Sequence, residues 1–477
     1  MIADPRTSHT VTVDRFLADG ITPIAAFAAL RALRMGPALL FESAPGAGES
    51  ARHSIIGLGS RGELVADEDG ARLCVAGDIV RALGSDGSEL LAAARELLDR
   101  LRPNGNAPSF MGAYGAAAYE FAARFERLPA LPRGSDPMPD LHLIVPEVFV
   151  VFDHLSHELG IYALAPENGK SIVRKVRETL VDARIAPLEG PHGSAMMAPV
   201  AGALPYATAV QRARAAIYEG EAFQIVLAQR WEAPLTTLAF DAYRALRALN
   251  PSPYMFFLDL GWGQLFGSSP EMLVATKGRE VRMRPLAGTR ARAQDTAADL
   301  RHARDLRRDP KECAEHTMLV DLARNDLARV CQAGSVSVTE LRAIERFSHV
   351  MHLVSEVAGV LQADRDALDA FAAAFPAGTV SGAPKIRAME LIAQLEGLRR
   401  GFYAGSVCRF GFDGTADACI TLRSAHAYEG VYHCAAGAGI VADSVPEHED
   451  AECRMKADAV VAAIAKAARK RSARGVA

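Results

Sequence analysis

Glu452 and Lys456 stand four residues apart in AGAGIVADSVPEHEDAECRMKA (436–457), so a helix there puts a carboxylate and an ammonium on one face. The carboxylate can hold a metal ion and the ammonium an anionic ligand. Gly437 and Gly439 precede them. Without Cβ atoms they let backbone N–H groups approach an anion. Ser444 and Glu447 have capping-box spacing, and Pro446 suits a first turn, where its missing N–H is harmless. A lone pair of this kind is usually a solvated surface contact. Here other segments carry matching chemistry.

Glu315 lies in DPKECAEHTMLVDLARNDLARV (309–330), a helix that opens on Asp309 as N-cap, with Pro310 in the first turn and Glu312 completing a capping box. It shares a side with Met318, Leu319 and Leu322, which turns it toward packed surface, and a buried carboxylate needs a cation or a proton. Glu315 and Glu452 together can hold a hard divalent ion. Mg2+ uses one or two protein carboxylates and takes its other positions from substrate and water. Zinc is disfavoured because no His/Cys cluster has ligand spacing. His349 and His352 in HVMH are three apart, which allows a metal pair, though no other imidazole nearby supports one, and His352 is a candidate acid or base. Glu271 ends GSSPE (267–271) at a turn, where desolvation would raise its pKa enough to protonate a leaving hydroxyl. LAGTR (286–290) adds an exposed-backbone glycine, and Arg423 in the strand-like run ITLRSA (420–425) adds a guanidinium suited to a planar carboxylate. These parts fit a small polyanionic substrate bound through Mg2+. Spacing alone does not name it.

The elements that must position these groups can be read in order. Residues 1–20 look loosely structured. An amphipathic helix starts at Thr22 with Pro23 at its first position, and 38–43 reads as a strand. PGAGES (45–50) lacks the Lys-Ser/Thr pair of a phosphate loop and is taken as a loop. Residues 148–164 read as a hairpin and 166–186 as a helix. The stretch 188–205 loses periodicity and collects Gly, Pro and Ala, which marks a linker and a domain boundary. Beyond it a helix spans 206–219, and strands follow around 223–232, 254–259, 264–267 and 271–276. TVSGAPKIRAMELI (379–392) is a glycine turn opening a helix, 401–441 holds several strands, and the basic tail 466–474 reads as frayed.

Composition bounds the partners. The 477 residues suffice for two or three domains, half are hydrophobic, and 53 basic against 57 acidic residues leave a net charge of −4. That balance gives no reason to expect nucleic acid or an anionic membrane surface. Cys74, Cys313, Cys331, Cys408, Cys419, Cys434 and Cys453 are scattered singly, as in reduced cytoplasmic proteins. No secretory signal and no membrane-spanning run is evident, so a cytoplasmic location is expected.

The stretches FQIVLAQR (223–230), NPSPYMFFL (250–258), GSSPE, LAGTR, AEHTMLVDLARNDL (314–327), SHVMHLVSEV (348–357), GTVSGAPKIRAMELI (378–392) and AGAGIVADSVPE (436–447) occur in one order. In these the chain resembles the chorismate-utilising enzymes, and among them the anthranilate synthase component I family, over nearly its whole length. The resemblance implies an α+β fold of two interlocked domains built on antiparallel sheets with flanking helices. Residues 1–195 would be a regulatory domain and 200–477 a chorismate-binding catalytic domain. It implies conversion of chorismate and ammonia to anthranilate and pyruvate, in tryptophan biosynthesis.

Residue by residue, the resemblance implies Glu315 and Glu452 as Mg2+ ligands. Gly288, Thr289, Tyr403, Arg423, Gly437, Ala438, Gly439 and Lys456 would hold chorismate, with Tyr403 and Arg423 near its pyruvyl group. His352 would be needed for turnover, Glu271 would assist loss of the C4 hydroxyl, and Thr379 would share their pocket. Family members that activate water carry a lysine where this chain has Gln224, and aminodeoxychorismate synthases usually carry one where it has Ala287. With neither lysine, ammonia itself is the expected nucleophile. No G-x-C-x-G thiol turn occurs, so the resemblance implies a separate glutamine amidotransferase subunit and a hetero-oligomer. LLFES (39–43) resembles a feedback segment, which implies that Ser43, Pro253, Tyr254 and Met255 hold tryptophan. Phe41, Ala291, Arg409 and Cys453 depart from the family pattern. Three alternatives stay open: release of 2-amino-2-deoxyisochorismate, aminodeoxychorismate synthesis, and an inactive tryptophan-binding regulator.

Overall fold

The computed structural model describes residues 10–44, 52–84, 86–130, 138–165, 168–188, 197–347 and 350–468. Its strands form two twelve-stranded sheets of antiparallel pairs. In spatial order the first runs Thr12–Leu17, Glu158–Ala163, Val148–Asp153, His53–Leu58, Ala38–Glu42, Tyr254–Asp259, Gln264–Ser269, Ser424–Tyr428, Val431–Ile440, Gln224–Pro234 and Ala198–Pro199. Gly382–Ala383 also pairs with the Gln224 strand. The second runs Leu286–Ala291, Val350–Val360, Glu280–Met283, Met272–Lys277, Ala416–Ile420, Ser406–Gly411, Gly112–Ala117, Leu141–Val145, Gly62–Asp67, Gly70–Val75 and Asp78–Leu83. Ser337–Arg346 pairs with the Val350 strand. Strands from both ends of the chain enter both sheets.

Alternation along the strands explains the layers. Leu40 and Phe257 turn outward and join Phe27, Val176, Tyr243 and Val460 of the helices Pro23–Arg31, Gly169–Val181, Ala239–Leu249 and Pro446–Ala467. Their neighbours Leu39 and Phe256 turn inward and join Leu64, Leu143, Val274 and Phe410 of the second sheet. The sheets thus pack face to face. The chain crosses between them at Gly59–Arg61 and Pro146–Glu147, and again at Pro270–Glu271 and Thr421–Arg423.

Several local expectations are corrected. Part of the stretch expected to be loose, Thr12–Leu17, is an edge strand, because the hairpin strand Glu158–Ala163 supplies a template for it. Within the expected linker, Ala198–Pro199 pairs with Trp231 and Glu232. Val445, not Ser444, is the N-cap of the last helix, and the Ser444 hydroxyl accepts the Val441 N–H at 3.0 Å. Asp309 caps its helix as expected, but Glu312 does not close the box: Asp309 N–H donates to Asp305 O, and the Glu312 carboxylate takes Arg290 at 2.8 Å. Arg423 lies in the link between strands rather than in one. The last helix extends to Ala467, into the expected frayed tail. Residues 45–50 and His349 lie outside the described residues. All seven cysteines are free thiols, and among the described residues no helix is long and apolar enough to cross a membrane.

Candidate active site

Glu271 sits where the chain leaves the first sheet for the second. The crossing is stitched: Ser269 Oγ accepts Glu271 N–H at 3.3 Å and donates to Ile420 O at 2.6 Å, and Ile420 N–H donates to Glu271 O at 3.1 Å. The carboxyl is therefore fixed, and the residue is 5% exposed. Burial pushes its pKa up to about 7, opposed by the Thr379 hydroxyl, a backbone contact at Leu286, and the charges of Arg423 and Lys456. Thr379 Oγ1 lies against this carboxyl, near enough to act on it, without an aligned hydrogen bond. The pair lines a small cavity of about 20 Å3, bordered also by Leu319, Asp326 and Arg284.

Arg423 occupies the return crossing beside it, where Ser268 N–H donates to its carbonyl at 3.1 Å. Its φ is +45°, a conformation that side chains other than glycine's seldom adopt and that concentrates at functional sites. Burial lowers the guanidinium pKa, and among the described residues no carboxylate closes a salt bridge with it. Glu271 and Tyr403 oppose the lowering from a distance, and a desolvated guanidinium with no close salt bridge is suited to an anionic ligand.

His352 is placed by a bulge. The register of Leu286–Ala291 on Val350–Val360 shifts between Ala287 and Thr289, which leaves Gly288 as the extra residue, at φ +67°. That conformation turns the Gly288 carbonyl to His352 Nδ1 at 3.0 Å, with Thr289 Oγ1 also at 3.0 Å. Burial lowers the His352 pKa to about 4; Gly288 opposes this, while Arg423 and Lys456 reinforce it. The ring is neutral at neutral pH. The carbonyl contact assigns the proton to Nδ1 and leaves Nε2 with its lone pair.

Gly437 and Gly439 face the same side of the strand Val431–Ile440. A Cβ on Gly437 would meet the Tyr403 hydroxyl at 2.7 Å, and one on Gly439 would meet Gln224 Nε2 at 2.7 Å. Ala438 points the other way into the outer core, so only its backbone can reach a substrate. Ser424–Tyr428 pairs with this strand no further than Ala425 opposite Cys434. Among the described residues, 435–440 therefore keep one edge free of strand pairing, and Lys456 Nζ donates to Gly437 O at 2.9 Å.

Lys456 also pairs with Glu452 at 2.7 Å. Across from it, burial raises the pKa of Glu315, Glu312, Glu452 and Glu449 push the same way, and Lys311 opposes them. Glu315 and Glu452 lie within electrostatic reach of each other, and a pair of carboxylates suits a hard divalent cation. With no larger ligand cluster among the described residues, substrate and water would supply its remaining positions.

The four residues expected to hold tryptophan also meet. Met255 pairs with Glu42, and Ala44 N–H donates to Ser252 O at 3.0 Å, which brings Ser43 beside Pro253–Met255. Tyr254 donates to the half-buried Asp417 at 3.1 Å.

Arg423 and Lys456 act on both Glu271 and His352, so side chains drawn from both sheets and the last helix share one electrostatic neighbourhood. The family model for chorismate binding enzymes matches residues 37–462. The chain belongs to the chorismate-binding enzymes. Anthranilate synthase component 1 of Thermus thermophilus is 43% identical over 94% of this chain and 96% of its own length. That of Geobacillus stearothermophilus is 39% identical over 98% and 96%. The crystal structure of anthranilate synthase component I from Streptococcus pneumoniae superposes with a TM-score of 0.75, at 34% identity over 88% of this chain and 93% of that one. The menaquinone-specific isochorismate synthase of Escherichia coli shares the fold, with a TM-score of 0.72 at 20% identity over 96% and 95%.

Sequence reasoning missed Arg400, Glu396 and Glu120. Glu396 and Arg400 look like an ordinary surface pair four apart, yet their side chains are 10% and 3% exposed. Burial holds the Glu120 pKa up at about 7 while it accepts the N–H groups of Arg400 and Gly401. No local signal in the sequence marks these groups as buried.

Proposed function

We propose that the chain is the large subunit of an anthranilate synthase, converting chorismate and ammonia to anthranilate, pyruvate and water. The observation that carries this reading is the meeting of Glu271, His352, Arg423 and Lys456 at one crossing between sheets, in a chain whose curated relatives are component 1 enzymes. Arg423 and Tyr403 receive the enolpyruvyl carboxylate. Lys456 and the free strand edge at 437–439 receive the ring carboxylate. Glu315 and Glu452 would hold Mg2+, which would supply positive charge to offset the negative charge of the bound substrate.

Glu271, protonated below about pH 7, gives its proton to the C4 hydroxyl, which leaves as water while ammonia bonds to C2. The burial that raises its pKa is what keeps that proton available. The new C2 ammonium loses a proton to water, His352 Nε2 takes the C2 proton as the C3–O bond breaks and the ring becomes aromatic, and the departing enolpyruvate is protonated at its CH2 carbon to give pyruvate. Ammonia comes from a separate glutamine amidotransferase subunit, with free ammonia as the substitute. Tryptophan binding at Ser43, Pro253, Tyr254 and Met255 regulates the enzyme.

The test is incubation of the chain with chorismate, Mg2+ and an ammonium salt. Anthranilate fluorescence with equal pyruvate release is expected. An amino product that keeps its enolpyruvyl group would replace this reading with an amination-only enzyme. Absence of any turnover, with tryptophan still bound, would leave a regulator.

A further inference from the structure

The strand Gln224–Pro234 faces the site glycines in register, Val226 opposite Gly439 and Ala228 opposite Gly437. Among the described residues, its other edge is covered by strands only at its two ends. Gly382–Ala383 pairs with Gln224 and Ile225, and Ala198–Pro199 pairs with Trp231 and Glu232. Between them, two side chains help cover the gap. Arg400 Nη2 donates to Val226 O at 2.6 Å, and Glu396 Oε1 accepts the Ala228 N–H at 2.8 Å. A buried strand edge needs such partners.

The same guanidinium reaches further. Its Nη1 donates to Val380 O at 2.7 Å, one residue from Thr379. Its Nε and Nη2 hold the two Glu396 oxygens at 2.9 and 2.6 Å. Its plane lies 4.6 Å from the Tyr119 ring and 5.8 Å from that of Tyr403, whose hydroxyl abuts Gly437. A buried ion pair is weak evidence for stability, because desolvation cancels much of its attraction. A planar fork with fixed donors is well suited to setting geometry.

We infer that the buried Arg400–Glu396 pair is the positioning element of the substrate cradle. It sets Gly437 and Gly439 through the strand that faces them, Thr379 through the neighbouring carbonyl, and Tyr403 through its ring. This rests on the proposed reading of the site as a chorismate cradle. A lysine at 400 would keep the charge and lose the fork, so the three pieces would loosen together.

The experiment compares Arg400→Lys, Glu396→Gln and Tyr403→Phe in the full chain, singly and as the Arg400→Lys/Tyr403→Phe pair. Each is measured for thermal stability, for kcat and KM with chorismate, Mg2+ and ammonium, and for amide hydrogen exchange. Arg400→Lys should lower kcat/KM by about tenfold to a hundredfold. Its effect on KM should shrink in the Tyr403→Phe background, while its stability loss stays the same in both. Exchange should quicken at 224–230 and 435–440 and stay unchanged at 148–153. Glu396→Gln keeps an acceptor for Ala228 and should show a smaller change of the same pattern, so it serves if Arg400→Lys does not fold. Additive losses in the double variant, or exchange that rises evenly across both sheets, would assign the pair a purely structural role. If the unsubstituted chain makes no anthranilate, the functional reading fails, and the exchange pattern alone still decides the positioning role.

Discussion

The molecule crosses between its sheets twice over, with the same topology each time. In the first half, His53–Leu58 lies beside Val148–Asp153, and their continuations Gly62–Asp67 and Leu141–Val145 lie beside each other in the second sheet. In the second half, Gln264–Ser269 lies beside Ser424–Tyr428, and Met272–Lys277 beside Ala416–Ile420. The first crossing is closed by backbone: Arg61 N–H donates to Val145 O at 2.8 Å, Glu147 N–H to Leu58 O at 3.0 Å, and Gly59 N–H to Pro37 O at 2.8 Å. Gly59 is packed so that a Cβ would meet Glu147 Cβ at 3.2 Å. The second crossing instead buries Glu271 beside Thr379 and Arg423. A change of sheet provides a junction at which side chains from both layers can converge. Which polar groups are desolvated there decides whether that junction carries chemistry.

The comparison is broken most severely by matched carboxyl substitutions. Glu271→Gln should cut anthranilate formation by about 10²–10⁴-fold, whereas Glu147→Gln in the other crossing should leave it within about twofold. Equal losses at both sites would mean that the crossings do not differ in function. Glu452→Gln, outside both crossings, should raise the Mg2+ concentration for half-maximal activity by at least about tenfold, with unchanged circular dichroism. An unaltered Mg2+ titration would remove Glu452 from the cation site.

The pH response sharpens the contrast. In the proposed mechanism Glu271 acts protonated and His352 acts neutral, so kcat/KM should fall as pH rises through about 7 and should also fall toward pH 4. Stability follows the same sign. A carboxyl whose folded pKa is raised from 4.5 to about 7 favours the fold below pH 4.5, and that advantage is lost as pH rises to 7. Above pH 7 the buried charge costs about 3 kcal/mol. Glu271→Gln should therefore be more stable than the unsubstituted chain at pH 8, by up to that amount, and should lose this margin toward pH 4.5. Denaturant titrations at the two pH values read the difference, and a margin independent of pH would contradict it. The smallest effect is conformational. Gly288→Ala places a Cβ at φ +67° and 3.0 Å from Glu312 Oε2, and should cost about 1–3 kcal/mol while weakening the carbonyl contact that orients His352.

Much of the architecture was legible from local pattern. Thr22, Asp309 and Pro310 marked helix starts that the structure keeps, and the hairpin read at 148–164, two apolar runs about a polar turn, is observed as strands Val148–Asp153 and Glu158–Ala163. Ser444 failed as a cap because the Val441 N–H competes for its hydroxyl, and Arg423 was placed in a strand because nothing local marks where a chain changes sheets. The motifs marked Glu271, His352 and Lys456 as candidates but not the environment that shifts the acidity of the first two.

What the sequence determined by itself is therefore the set of reactive groups and the elements that carry them, because caps, glycine turns and apolar periodicity act over a few residues. What the tertiary structure decided is which groups lose water together. Glu271 meets Thr379 across more than a hundred residues, and Arg400 reaches Val226 across a similar span. Desolvation belongs to neighbours that only long-range strand pairing brings into place, so neither the raised pKa of Glu271 nor the burial of the Arg400–Glu396 pair could be read from spacing along the chain.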